Sequence, residues 1–230
     1  MPFAARPTRG RWTPIGRLIV LLLASSSICC LLADFYALAS MRAFTLVVFI
    51  PSMIVLATLA VINRTLDDRG LARHVVIGLL AGLMAAGVYD LFRVPFVFAQ
   101  RWGISWFVPQ LDLFKVMPMF GAMIQGEAAQ QLSYSTVAHL LGWLYHFSNG
   151  ATFGIMYIAL IGDGRCRHWL WAVLFSVALE LGMLLTPYPA TFGIDVTPRL
   201  VAVTLAAHVV FGLVLGLLVK WLSRRGPGGA

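Results

Sequence analysis

The sequence is poor in charged residues. Only 11% of its 230 residues are charged, whereas soluble domains contain roughly 25%. Apolar residues make up 60% of the chain, so too little polar surface remains to cover a water-soluble protein of this length. This composition argues against a soluble enzyme, a disordered tail and a secreted scaffold, and it predicts an integral membrane protein.

The sequence also lacks the patterns of dedicated metal and catalytic sites. Of its three cysteines, Cys29 and Cys30 are neighbours in an apolar run and Cys166 lies in a distant loop, so they form neither a disulfide framework nor a four-ligand zinc site. The chain contains no H-E-x-x-H or C-x-x-C-H motif, no clustered H-x-x-x-H boxes, no Walker A loop and no G-x-S-G nucleophile motif.

Six apolar runs are long enough, or nearly so, for the roughly 20 residues that a transmembrane helix requires. None alternates with a period of two, and helices satisfy their own backbone hydrogen bonds in lipid. We therefore predict an all-α, polytopic membrane protein with a six-helix transmembrane bundle over residues 18–222. Its spans, numbered one to six, are about 18–39, 43–62, 75–92, 136–161, 169–186 and 200–222.

Basic residues predict how the chain crosses the membrane. Most of the 17 lysines and arginines fall in segment 1–17, in the loops after spans two and four, and near the tail 223–230, and short basic loops stay in the cytoplasm. We therefore expect a bacterial inner-membrane protein with both termini cytoplasmic. The net charge of +8 then reflects topology and attraction to anionic lipids, and it requires no nucleic-acid partner.

One predicted connection is long. Residues 95–135, between spans three and four, combine prolines with aromatic residues such as Trp102 and Trp106, which suit the headgroup region. A loop of this length usually has its own structure or a function. We expect a partly helical outer loop that lies on the membrane surface or dips back into it, either as a lid or as a set of interfacial anchors.

Glycines at a spacing of four predict where the helices approach each other closely. We expect spans three, four and six to form the tight core of the bundle. The pairs are Gly78 and Gly82, Gly150 and Gly154, and Gly212 and Gly216.

Polar residues at membrane depth form the candidate site. An ionisable group in a span costs roughly 2.5–3.5 kcal/mol on insertion, so such groups usually face the bundle interior and have partners. Span four carries three polar residues on one helical face. The candidate ligand-binding residues, all in or at the end of spans three to six, are Asp90, Arg93, His139, His146, Asn149, Glu180 and His208.

Three of these residues lie at a similar depth. At 1.5 Å per residue, His146, Glu180 and His208 fall roughly 10–15 Å below the outer surface. The inner halves of the same spans are almost wholly apolar. We therefore predict an outward-facing polar pocket above a sealed apolar floor, with Asp90 and Arg93 nearer the surface.

Several chemistries fit such a pocket. The working hypothesis is binding or transport of a small solute or ion without a cofactor, in which Glu180 and the histidines exchange protons. The alternatives are a transition-metal site of His146, His208 and Glu180 or one haem ligated by the two histidines, either of which makes a membrane redox protein. A further alternative is a non-catalytic assembly protein with a membrane-protein partner, in which the polar residues only join helices.

Overall fold

The computed structural model describes residues 12–65 and 70–225 of the chain. Within these ranges the regular structure is helical and no strand is present, which confirms the all-α fold class. The basic segment 1–17 and the tail 223–230 fall partly outside the described residues.

The helices begin where local capping residues predict. The hydroxyls of Thr13, Ser135 and Thr197 each accept a hydrogen bond from the backbone N–H three residues further on, as N-caps do. The segments are α1 (Pro14–Phe35), α2 (Met41–Phe44), a π-helical stretch (Thr45–Phe49), α3 (Ile50–Thr65), α4 (Gly70–Phe98), α5 (Val116–Gln125), α6 (Thr136–Ile161), α7 (Leu170–Leu184), α8 (Tyr188–Thr191) and α9 (Pro198–Arg224).

Four of the described helices are long and apolar enough to cross a membrane. They are α1, the continuous helix Met41–Thr65 (α2, the π-helical stretch and α3), α4 and α9, and they coincide with predicted spans one, two, three and six. The chain is therefore a multi-pass helical membrane protein. Helix α6 has 26 residues but carries polar groups, and α7 has only 15 residues, so the count of six spans stays a prediction.

Neighbouring long helices run antiparallel, which gives the bundle two distinct ends. Side chains of α1 and α6 meet where the Ser27 and Thr152 hydroxyls lie 2.6 Å apart, and α4 and α9 meet where Arg73 bonds the Ser223 carbonyl. We call the end with segments 99–115 and 185–197 the loop end. The opposite end, where α1 and α4 begin and α6 and α9 end, is the basic end.

The glycine pairs lie where helix backbones touch. A Cβ added to Gly78 would lie 2.7 Å from Ile155 Cα of α6, and one added to Gly212 would lie 2.5 Å from Val173 Cα of α7. Both distances are too short for real side chains. The expectation that α4 and α6 approach closely therefore holds, but the glycines of α9 face α7 rather than the helices predicted to form the core with it.

The structure corrects the predicted end of span three. Helix α4 continues through Pro95 to Phe98, although the proline removes one backbone hydrogen bond of the helix. The connection that follows contains α5, whose residues are almost all buried. Its glycine Gly121 sits against the backbone of Ala138, and Gly142 of α6 sits against that of Met117, so α5 packs into the bundle instead of lying on its surface.

Candidate functional site

A buried cluster joins α4 to α6. The Asp90 carboxylate accepts a hydrogen bond from Arg93 Nη1 at 3.1 Å and lies 2.9 Å from His146 Nε2. Asp90 is 8% exposed and Arg93 is 5% exposed. A buried charge is tolerated when it is paired and hydrogen-bonded, and here one carboxylate serves both basic partners.

Further contacts hold Arg93 in place. Its Nη2 donates to the backbone carbonyl of Leu113, which ties the loop after α4 to the helix. Its guanidinium carbon also lies 4.8 Å from the Tyr89 ring centre and 4.9 Å from that of Phe114, a favourable distance for cation–π attraction. Arg93 Nε is buried and has no hydrogen-bond partner among the described residues.

A second buried pair joins α7 to α9. Glu180 Oε2 lies 3.3 Å from His208 Nδ1, and the same nitrogen is 3.0 Å from the Thr204 carbonyl oxygen. The Ser176 hydroxyl, one helical turn before Glu180, donates to the His208 backbone carbonyl at 2.7 Å. Because Glu180 is only 7% exposed, its position depends on this partner across the helix interface.

Tyr89 connects the two clusters. Its ring centre lies 6.1 Å from the His146 ring and 5.0 Å from the His208 ring, so both imidazoles pack against one phenol ring. Tyr89 is not among the candidates selected from the sequence. The sequence feature that points to Tyr89 is its position next to Asp90, as two adjacent polar residues in an otherwise apolar span.

A single cavity of about 620 Å³ brings the two clusters together. Its polar lining includes Arg93, His146, Asn149, Glu180 and His208. Asn149 Oδ1 is buried and has no hydrogen-bond partner in the described part of the chain, although buried acceptors normally have one. The amide group therefore has hydrogen-bonding capacity that the protein itself does not use.

Two of the predicted residues do not line the cavity. Asp90 lies behind its two partners and is absent from the lining, while His139 is exposed and packs edge-on against Tyr134, with ring centres 6.4 Å apart. Helical periodicity places His139 on the same face as His146. It lies in the first turn of α6, however, about 10 Å along the axis from His146, and it is not among the residues that line the cavity.

The segment after α7 covers the loop end of the cavity. Phe192 is fully buried, and its ring centre lies 5.9 Å from that of Phe35 and 5.2 Å from that of Phe120. Lys115 Nζ adds a hydrogen bond of 2.7 Å to the Gly193 carbonyl. The sequence predicts only a simple loop here, because isolated aromatic residues between prolines carry no periodic signal.

Apolar packing closes the cavity towards the basic end. Between Tyr89 and the basic end, Ala81 and Ala85 of α4 pack in one buried cluster with Ile158 of α6 and Leu215 of α9. By contrast, α1 and α7 both line the cavity with residues such as Leu31 and do not pack along one another in the described residues. The cavity therefore has a closed floor and an incomplete side wall.

The arrangement does not fit a metal or haem centre. His146 directs Nε2 to Asp90 and His208 directs Nδ1 to Glu180, so each histidine has its own acidic partner. No group of three or more His, Cys, Asp or Glu side chains close enough to hold a metal ion occurs within residues 12–65 and 70–225. Both imidazoles also contact Tyr89, which fills space that a porphyrin between them would need.

Comparison with protein-family models, with curated proteins and with solved structures finds no match to this chain.

Proposed function

We propose that the protein binds a small solute in the cavity between α4, α6, α7 and α9. The observation that carries this proposal is the single cavity that His146, Asn149, Glu180 and His208 line from three helices. Its volume of about 620 Å³ falls within the roughly 300–1,000 Å³ of ligand pockets. Ionisable residues inside a membrane bundle commonly mark such a site.

The lining supports a solute with both polar and apolar parts. The charges of Asp90 and Arg93 offset each other, and Glu180 has His208 beside it, so the cavity requires no net charge from its ligand. Hydrogen-bonding capacity remains at Asn149. Apolar side chains such as Leu31 and Phe153 form much of the remaining wall and would contact the rest of the solute.

Binding is better supported than passage. A transport path requires an opening at each end of the site, whereas the residues between Tyr89 and the basic end pack closely around Ala81 and Ala85. The incomplete wall between α1 and α7 offers a route from the lipid side instead. Exchange of a proton at Glu180 or His208 on binding is consistent with this arrangement.

The proposal includes a membrane orientation. We place α6 and α7 as the remaining two of six spans in the bacterial inner membrane, with the basic end and both termini in the cytoplasm. The support is the concentration of basic residues at that end, including Arg17, Arg73 and Arg165, which is typical of cytoplasmic loops. The cavity then opens towards the periplasmic half of the bilayer.

A cavity-filling substitution tests the proposal. Gly182 lines the cavity, and an added Cβ would meet nothing within 4 Å, so Gly182→Trp fills the binding space without removing a polar group. The matched control is Gly87→Trp, because Gly87 is exposed, is equally free of neighbours and does not line the cavity.

The assay is retention of small molecules. Each purified variant is incubated with a metabolite and lipid extract, washed and denatured, and the released compounds are identified by mass spectrometry. We expect the wild type and the control Gly87→Trp to retain the same compound and Gly182→Trp to lose it. Equal retention by all three proteins, or by none, would contradict the proposal.

A further inference from the structure

A second cavity, of about 220 Å³, lies at the basic end of the bundle. It is built by the starts of α1 and α4 and the ends of α6 and α9, and it is separate from the candidate site described above. Three arginines line it, namely Arg17, Arg73 and Arg165, together with one carboxylate, that of Asp163. The pocket therefore carries an excess of positive charge, which the cavity between α4, α6, α7 and α9 does not.

Carbonyl groups at helix ends hold two of these arginines in place. Arg17 Nε donates to the Ala159 carbonyl at 2.8 Å, and its Nη2 donates to that of Leu160. Arg73 Nη2 donates to the Ser223 carbonyl at 2.6 Å. Because a guanidinium has five N–H donors, most of the donors of both side chains stay available while the side chains themselves are positioned.

Asp163 does not cancel the excess charge. Arg165 donates to both of its carboxylate oxygens, from Nε to Oδ1 at 3.0 Å and from Nη2 to Oδ2 at 2.7 Å, and these hydrogen bonds lower the pKa of Asp163. The carboxylate therefore stays ionised and is neutralised by Arg165. The charges of Arg17 and Arg73 have no acidic partner among the residues that line this pocket.

Two buried donors in the pocket have no acceptor among the described residues. They are Trp12 Nε1 and Ser223 Oγ, and Ser223 is only 5% exposed. The Trp12 ring is fixed by stacking on His74, with ring centres 4.5 Å apart. An indole N–H can only donate, so the missing partner of Trp12 has to be an acceptor.

We propose that this pocket binds a phosphate group, either that of an anionic phospholipid or a free phosphate ion. A phosphate supplies several acceptor oxygens and negative charge, and guanidinium groups match its geometry. Basic pockets at the ends of transmembrane helices are typical binding sites for anionic lipid headgroups. The proposal is independent of the solute cavity, because the two pockets share no lining residue.

Two variants test the site against a matched control. Arg73→Gln removes one positive charge that has no acidic partner among the residues that line the pocket, and Trp12→Phe removes the indole donor but keeps a ring to stack on His74. The control is Arg225→Gln, which removes one positive charge at the same end of the bundle. Arg225 does not line the pocket and packs over the Trp221 ring at 3.7 Å.

The assay is native mass spectrometry of the full-length protein in detergent. The probes are phosphatidylglycerol, phosphatidylcholine and inorganic phosphate. We expect phosphatidylglycerol to bind at least tenfold more tightly than phosphatidylcholine. A hydrogen bond to a charged group accounts for about a tenfold or larger change in affinity, so we expect a loss of that size in Arg73→Gln, a smaller loss in Trp12→Phe and a change within about twofold in Arg225→Gln.

The outcomes separate the two sources of phosphate. Binding of phosphatidylglycerol that millimolar inorganic phosphate does not displace identifies a lipid headgroup, and displacement identifies the phosphate ion as a sufficient ligand. Equal binding of the two lipids together with no binding of phosphate would overturn the proposal. An equal loss in Arg73→Gln and Arg225→Gln would also overturn it, since attraction to the surface as a whole would then explain the binding.

Discussion

Replacing Asp90 with asparagine should destabilise the protein strongly. The substitution keeps the shape of the side chain and removes the charge that faces Arg93 at 3.1 Å and His146 at 2.9 Å. Arg93 then remains 5% exposed, and the acceptors and aromatic rings around it are all neutral. Removing one partner of a buried ion pair costs about 3–5 kcal/mol, because the other charge stays buried and uncompensated.

The measurement is thermal unfolding of the purified protein in detergent. For a chain of this length, 1 kcal/mol corresponds to about 2–4 °C in Tm, so the expected decrease for Asp90→Asn is about 6–20 °C. Asp195→Asn is the matched control, because Asp195 is exposed and makes no ion pair in the described structure. We expect the control to change stability by less than about 0.5 kcal/mol.

A double variant shows whether the loss of stability in Asp90→Asn comes from the unpaired charge of Arg93 or from the loss of the Asp90 side chain itself. If an unpaired guanidinium causes the decrease, Asp90→Asn combined with Arg93→Gln should recover a large part of it, since no uncompensated charge remains. Additive losses in the double variant would show that the two side chains do not interact energetically. A Tm within about 2 °C of the wild type for Asp90→Asn alone would refute the reasoning altogether.

Two further predictions concern packing and orientation. Gly78→Ala should destabilise the protein by about 1–3 kcal/mol, because the added Cβ would lie 2.7 Å from Ile155 Cα. In the control Gly87→Ala the added Cβ meets nothing within 4 Å, so this variant should be neutral or slightly stabilising. Equal thermal stability of the two variants would contradict the close packing at Gly78. Cys166 is exposed at the basic end, so a membrane-impermeant maleimide should label it only in permeabilised cells, with Cys166→Ser as the control. Labelling in intact cells would place the basic end outside.

The long spans could be predicted from the sequence because lipid imposes a simple rule on them. A helix that crosses the hydrocarbon needs a continuous apolar run, and the runs before Phe35 and after Pro198 are unmistakable. The short helix α5 obeys no such rule. Its apolar residues suit a membrane surface and a protein interior equally, and only the contact of Gly121 with Ala138 decides for the interior.

The depth of Asp90 in the structure differs from the predicted depth for an identifiable reason. Ending the helix before Pro95 puts Asp90 near the membrane surface, whereas the observed helix continues to Phe98 and places Asp90 about 12 Å from its end. His146 lies about 15 Å from the start of α6 by the same measure. Asp90 and His146 therefore lie at about the same depth, where they pair. The predicted depth of Asp90 was wrong because the helix continues past Pro95.

The two pockets differ in how they balance charge, and this difference predicts different ligands. In the cavity between α4, α6, α7 and α9, each buried acidic group faces a basic one, so the solute that we propose for this cavity requires no charge of its own. At the basic end, the hydrogen bonds that Arg17 and Arg73 make within residues 12–65 and 70–225 go to helix-end carbonyls, which fix the positions of the two side chains without neutralising them. A site that leaves positive charge uncompensated beside the membrane surface selects an anion, and the buried donor of Trp12 requires that this anion accept a hydrogen bond.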